Sequence, residues 1–241
     1  MTAVEHPTLV DRLTGLSSEL SAAERENLKF LLSMAAGGLL SGHAGDVPEH
    51  LRDVALRTAQ HSLPRLHGDL RPEFDTGVVF CGRGAFFTDD DIAALDRESR
   101  AHRGRADRFH DHYVASGAPL ARELSLSQAV SDFLTPRVGP VLPTYKANYL
   151  YYDEPGLGID PHVDKDEFAL NVLTMLEHSP RERTSELILY PPDQDPLHLQ
   201  LEPGESLVFF ADSVTHQRTR TADGEAIRLV SFGYRTVGSA R

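Results

Sequence analysis

Residues 151–168 read YYDEPGLGIDPHVDKDEF, and the fold turns on how this stretch is laid out. Extended residues run into a PGLG turn at 155–158, and a second extended segment then carries His162 and Asp164 two positions apart. In a strand, residues i and i+2 project from the same face, so these two side chains can reach one ion. Outward from here the same texture continues. Beyond Pro143 the chain alternates short apolar runs with Pro, Gly and Asp turns: 146–152 (KANYLYY), 168–176, 186–190, 197–201, 206–210, 213–219 and 226–236. Several of these alternate apolar and polar residues, as half-buried strands do. Short strands with no helix between them predict an antiparallel sandwich or barrel, not a parallel α/β sheet.

Upstream the pattern is helical. Ser21 and Glu24 have capping-box spacing ahead of the apolar stretch LKFLLSMAAGGLL (28–40), with Gly37 and Gly38 as its expected stop. A second helix is expected from Pro48, where a proline in the first turn is tolerated. From Thr76 the segment TGVVFCG reads as a strand, Thr88 caps an acidic-start helix, and another helix covers LSQAVSDFL. The expected class is therefore α+β: a double-stranded β-helix (jelly roll) core in residues 71–241, preceded by a helical extension in residues 1–70. Something must cover the apolar stretch 28–40, either the outside of the barrel or a second copy in a homodimer.

A third metal ligand is available in SVTHQRT, where His216 sits on a later strand, 54 residues after His162. Two imidazoles and one carboxylate on one face of an iron(II) ion form the facial triad of non-haem iron oxygenases, which leaves positions for a chelating co-substrate and oxygen. Arg228 follows 12 residues after His216 in GEAIRLVSFGY. Inside a barrel its guanidinium would need a carboxylate partner, and the distal carboxylate of 2-oxoglutarate suits it. On an edge strand it would simply face water.

These residues resemble the prolyl-hydroxylase-like branch of the 2-oxoglutarate and iron(II) oxygenase superfamily. The likeness rests on Asn148–Tyr149, the PGLG turn, PHVD at 161–164 and PGESLVFFADSVTHQRT, with GAFFTDDDIAAL similar to the family's opening strand and helix. It covers the C-terminal ~165 residues. The resemblance implies a double-stranded β-helix, iron(II), 2-oxoglutarate and O2 as cofactor and co-substrates, and release of succinate and carbon dioxide. It also places Tyr152 beside the co-substrate. Two departures stand out: Ser231, not residue 230, follows the arginine, and the chain contains no Trp. Tyr149 and Tyr151 share the opposite strand face and read as core.

The bulk properties narrow the function. A formal charge of −12 disfavours a nucleic-acid partner, the single cysteine points to a reducing cytoplasm, and no apolar run is long enough for a membrane span. A small-molecule substrate is expected, a free amino acid or similar polar metabolite, and the expected reaction is hydroxylation. Two alternatives remain: an alkylation-repair-type nucleic-acid demethylase, which Arg235 keeps open, and a non-catalytic jelly-roll binding protein. His110 and His112 read as solvated surface, His178 as a strand-end surface residue, and Cys81 as a small core residue.

Overall fold

The protein is described here from a computed structural model covering residues 7–43, 45–67, 74–180 and 183–237. Three helices open the chain, α1 (Leu9–Glu19), α2 (Ala22–Leu40) and α3 (Glu49–His67). Thr8 and Ser21 cap the first two, each exchanging hydrogen bonds with an acidic residue three positions on, Asp11 and Glu24. The sequence expectation for α2 fails at one point, since the helix continues through Gly37 and Gly38. Gly37 has another reason to be glycine. A Cβ there would stand 2.4 Å from the carbonyl oxygen of Pro161. The boundary expected between residues 70 and 71 lies outside the described residues.

The remaining chain contributes β1 (Val78–Gly82), α4 (Asp89–His102), β2 (Asp107–Phe109), β3 (His112–Ser116), α5 (Pro119–Ser125) and α6 (Gln128–Val138). It ends in β4 (Val141–Tyr152), β5 (Ile159–His162), β6 (Leu170–Ser179), β7 (Leu187–Tyr190), β8 (Leu197–Leu199), β9 (Ser206–Phe209), β10 (Thr215–Arg218) and β11 (Ala226–Thr236). They form a seven-stranded sheet, β1-β9-β6-β11-β4-β3-β2, and a four-stranded sheet, β5-β10-β7-β8. Every pairing is antiparallel. The α+β content and jelly-roll core are as the strand pattern predicts.

Period-two alternation sorts the large sheet into two cores. Leu207 and Phe209 on β9, Leu173 and Met175 on β6, and Ile227 and Leu229 on β11 pack toward the small sheet with Leu187 and Leu189. Val208, Val172, Val230, Phe232, Tyr149 and Tyr151 point the other way, into a layer with Leu95, Val130 and Leu134 from α4 and α6. Burying a side chain of this size contributes on the order of 1.5–3 kcal/mol. The alternation therefore fixes register firmly, because a one-residue slip would exchange the two faces. Cys81, expected in the core, is exposed on β1.

Candidate metal and co-substrate site

The two sheets enclose a cavity of about 540 Å³ whose lining includes Tyr152, His162, Asp164, His216 and Arg218. Its metal-ligand geometry comes from strand pairing. β5 and β10 run antiparallel with His162 directly opposite His216, and the imidazole centroids lie 4.4 Å apart. Asp164, two residues beyond His162, turns its Oδ1 to within 3.5 Å of Nε2 of His162 and 3.8 Å of Nε2 of His216. The three side chains thus offer one ligand atom each, all within 4.8 Å of one another.

The surrounding hydrogen bonds orient all three. His162 Nδ1–H donates to the carbonyl of Asp160 at 2.8 Å and His216 Nδ1–H to that of Val214 at 3.0 Å. A carbonyl can only accept, so each Nδ1 carries the proton and each Nε2 presents a lone pair to the centre, as metal-binding histidines require. Asp164 keeps Oδ1 for the centre because Asn171 donates to its Oδ2 at 3.0 Å, and Ser231 in turn donates to Asn171 at 2.9 Å. Burial pushes the Asp164 carboxyl up, but the two imidazoles and Asn171 outweigh it and hold the pKa below its ordinary value. His162 is raised: burial works against its charged form, and Asp164 more than compensates. His216 is pushed down to about 4 by burial and then by the charge of His162. A close set of one carboxylate and two imidazoles, each oriented from behind, fits iron(II).

The arginine expected here, Arg228, lies away from the cavity. Arg228 lies on the opposite face of β11 from Leu229 and Ser231, the two β11 residues that line the cavity. Its guanidinium forms ion pairs with Asp96, at 2.6 Å, and with Glu177, away from the metal ligands. The structure does not bring Arg228 to the metal ligands: strand alternation turns it out of the cavity, and two carboxylates already hold it. Arg218 lines the cavity instead. It follows His216 by two residues on β10, so both side chains leave the same strand face. It is 3% exposed and lines the cavity, with its guanidinium 5.5 Å from the Tyr152 ring centroid. No ion pair joins it to any of the described residues, and burial lowers its pKa. A nearly buried cation without a counter-ion is costly, which marks a place for an anion.

Tyr152 lines the cavity, and burial raises its phenol to about 12. His112, read from sequence as surface, is a second correction. It is 3% exposed, stacks on Tyr152 with centroids 5.2 Å apart and faces the cavity. Burial, and then the charge of His162, push it down to about 4, so it is neutral at physiological pH. The segment Phe109-His110-Asp111-His112, where β2 turns into β3, gives no sign of this from its composition. His178 is also buried, and its Nε2–H donates to Glu225 at 2.8 Å.

With this geometry in view, comparison with solved structures is informative. The epimerase SnoN from nogalamycin biosynthesis superposes with a TM-score of 0.56 at 16% identity, covering 66% of this chain and 78% of its own. The same enzyme was solved with Fe3+, α-ketoglutarate and nogalamycin RO. This chain has the fold of the 2-oxoglutarate and iron(II) oxygenases. A 2OG-Fe(II) oxygenase-family oxidoreductase from Burkholderia pseudomallei gives 0.53 at 16% identity, with 65% and 83% coverage. HygX from Streptomyces hygroscopicus, solved with nickel, 2-oxoglutarate and hygromycin B, gives 0.51 at 12% identity, with 71% and 90% coverage. No family model matches the sequence, and no curated protein matches it. Among the described residues no helix is long and apolar enough to cross a membrane.

Proposed function

We propose that the protein is an iron(II)- and 2-oxoglutarate-dependent dioxygenase that hydroxylates a small polar metabolite, with a free amino acid or derivative as the leading substrate. The observation that carries this reading is the pairing, in one cavity, of the His162–Asp164–His216 cluster with Arg218, a buried cation that has no ion pair among the described residues. His162, Asp164 and His216 hold the metal. Arg218 binds the distal carboxylate of 2-oxoglutarate, with Tyr152 and His112 as the neighbouring wall. Bound iron(II), with 2-oxoglutarate and oxygen, supplies the oxidising power to hydroxylate an unactivated carbon, and succinate and carbon dioxide leave. The chain's own residues do the positioning. Asn171 and Ser231 fix the carboxylate of Asp164, and Leu173, Phe209 and Leu229 supply apolar walls beside it.

Charges of both signs line the opening, with Asp107 and Arg108 on β2 and Lys165 and Glu167 after the metal ligands. A zwitterionic substrate of amino-acid size suits such a rim. Arg235, on which the alkylation-repair alternative rested, donates instead to the main-chain carbonyl of Asp166. The test is iron-dependent succinate formation from 2-oxoglutarate, measured with an amino-acid panel and with an alkylated oligonucleotide. His162→Ala and His216→Ala should each abolish it while the fold is retained. Turnover at the wild-type rate in either variant removes the triad, and stimulation by the oligonucleotide alone removes the small-metabolite assignment.

A further inference from the structure

Helix α2 belongs to the N-terminal extension, yet one of its faces is built into the back of the metal site. Lys29, Ser33 and Gly37 are spaced four apart, so they lie along a single stripe of the helix. All three are buried. Lysine is almost never fully buried unless paired, and Lys29 is 3% exposed. Its Nζ lies 3.3 Å from Asp166 Oδ1 and 3.9 Å from Asp212 Oδ2. Ser33 Oγ accepts a hydrogen bond from the main-chain N–H of Val163 at 3.1 Å, and Gly37 lies against the carbonyl of Pro161.

These contacts converge on the ligands. Pro161 and Val163 flank His162, Asp166 follows Asp164 by two residues, and Asp212 precedes His216 by four. The two ligand-bearing segments are themselves joined by the Asp164 N–H, which donates to the Ala211 carbonyl at 2.8 Å. β5, moreover, is an edge strand of the small sheet, with β10 on one side only. Its other side is where α2 packs. An apolar side chain could fill the space of Lys29, but it would take the cation from beside the buried Asp212 carboxylate. A lysine that engages both segments does something an apolar residue cannot, which is to fix their separation.

We propose that Lys29, Ser33 and Gly37 are positioning residues for the metal site, so that α2 sets the distance between the His162–Asp164 segment and the His216 segment. This rests on the metal-binding reading given above. Outer-shell supports of metal ligands commonly change affinity by about 10- to 100-fold.

The experiment loads the full chain with cobalt(II), without oxygen or turnover, and reads the dissociation constant and the visible d–d spectrum. Phe30→Ala, on the exposed face of α2, should match wild type. Lys29→Met should weaken cobalt binding by about tenfold or more and alter the spectrum. Ser33→Ala should weaken it several-fold, and Ser33→Thr, which keeps the hydroxyl, should restore it. If Lys29→Met does not fold, the Ser33 pair decides alone, since it removes and returns a single hydrogen bond. Wild-type affinity and spectrum in Ser33→Ala and in folded Lys29→Met overturn the proposal while leaving the metal site standing. A wild-type chain that binds no cobalt overturns the metal reading, and the role of α2 falls with it.

Discussion

Arg218→Met separates a binding role from a structural one by giving two effects of opposite sign. In the ligand-free protein the guanidinium is 3% exposed with no carboxylate partner among the described residues. Replacing it with an apolar chain of similar length removes an uncompensated desolvation cost. Exchanges of buried charge for apolar groups stabilise by roughly 1–4 kcal/mol, and the lower end applies because the cavity is open to water. For a chain of this size that raises Tm by a few degrees, at about 2–4 °C per kcal/mol. The same substitution leaves the distal carboxylate of 2-oxoglutarate unpaired, a loss of about 2–5 kcal/mol. At about 1.4 kcal/mol per decade, affinity for 2-oxoglutarate falls by about 30-fold to several thousand-fold. Calorimetric titration of 2-oxoglutarate into the nickel-loaded protein reads the second effect, and thermal melting of the metal-free protein reads the first. Arg228→Met is the counterpart: it takes the buried cation from Asp96 and Glu177 and leaves them the more exposed Arg100, so Tm should fall while 2-oxoglutarate affinity stays within about twofold. If Arg228→Met loses the co-substrate and Arg218→Met keeps it, the reasoning from strand faces is refuted.

Other outcomes follow from the same contacts. Asn171→Ala frees Asp164 to rotate and should weaken metal binding by roughly 10- to 100-fold, as competition against a chelating indicator would read. His112 is neutral when folded, with its pKa near 4 against an ordinary 6.5. The unfolded chain therefore binds more protons between those values, and stability declines as pH falls through that window. Between pH 7 and pH 5 the metal-free protein should lose about 2 kcal/mol from this group in urea unfolding, and His112→Phe should flatten the slope. Glu225 accepts from His178, Thr184, Ser185 and Ala222 while 3% exposed, so Glu225→Ala should lower Tm by roughly 10 °C with little effect on metal affinity. With Asp164 as a metal ligand, as proposed, one coordination position would be closed to chloride, so mass spectrometry of products made in chloride buffer should show oxygenation without chlorination.

Much of this architecture was legible because two-residue periodicity is a local property. It identified β4, β6, β9 and β11 of the large sheet, though not β2 and β3, put His162 and Asp164 on one face, and separated Tyr152 from Tyr149 and Tyr151. The same rule, applied to His216, would have selected Arg218, which also lies two residues away. Arg228, one strand on, draws the sequence reading because a guanidinium there suits a carboxylate, but strand parity turns it out of the cavity. What sequence could not supply was the pairing between distant segments. Phe30, Leu31 and Met34 look like the buried side of α2, yet each is about 60% exposed, and Lys29 among them is the buried one. Only knowing that β5 lies beneath that helix reverses the assignment. His112 was misread for a related reason: its burial depends on Tyr152, forty residues away.

The joint between α2 and the site also has a history within each newly made chain. Lys29 and Asp166 are 137 residues apart, and Ser33 and Val163 are 130 apart. At about 5–20 residues per second, α2 leaves the ribosome roughly six to twenty-four seconds before β5 can follow it. During that interval the face destined for the barrel has nothing to rest against. A stripe carrying lysine, serine and glycine tolerates the wait in water better than leucines would, since it gives other nascent chains little apolar surface to adhere to. Contacts this far apart in sequence close late, so the capacity to hold a metal should appear only as folding ends. Stalled chains that stop short of residue 215 provide the measurement: they should retain no cobalt, and retention by them would show that the site matures earlier.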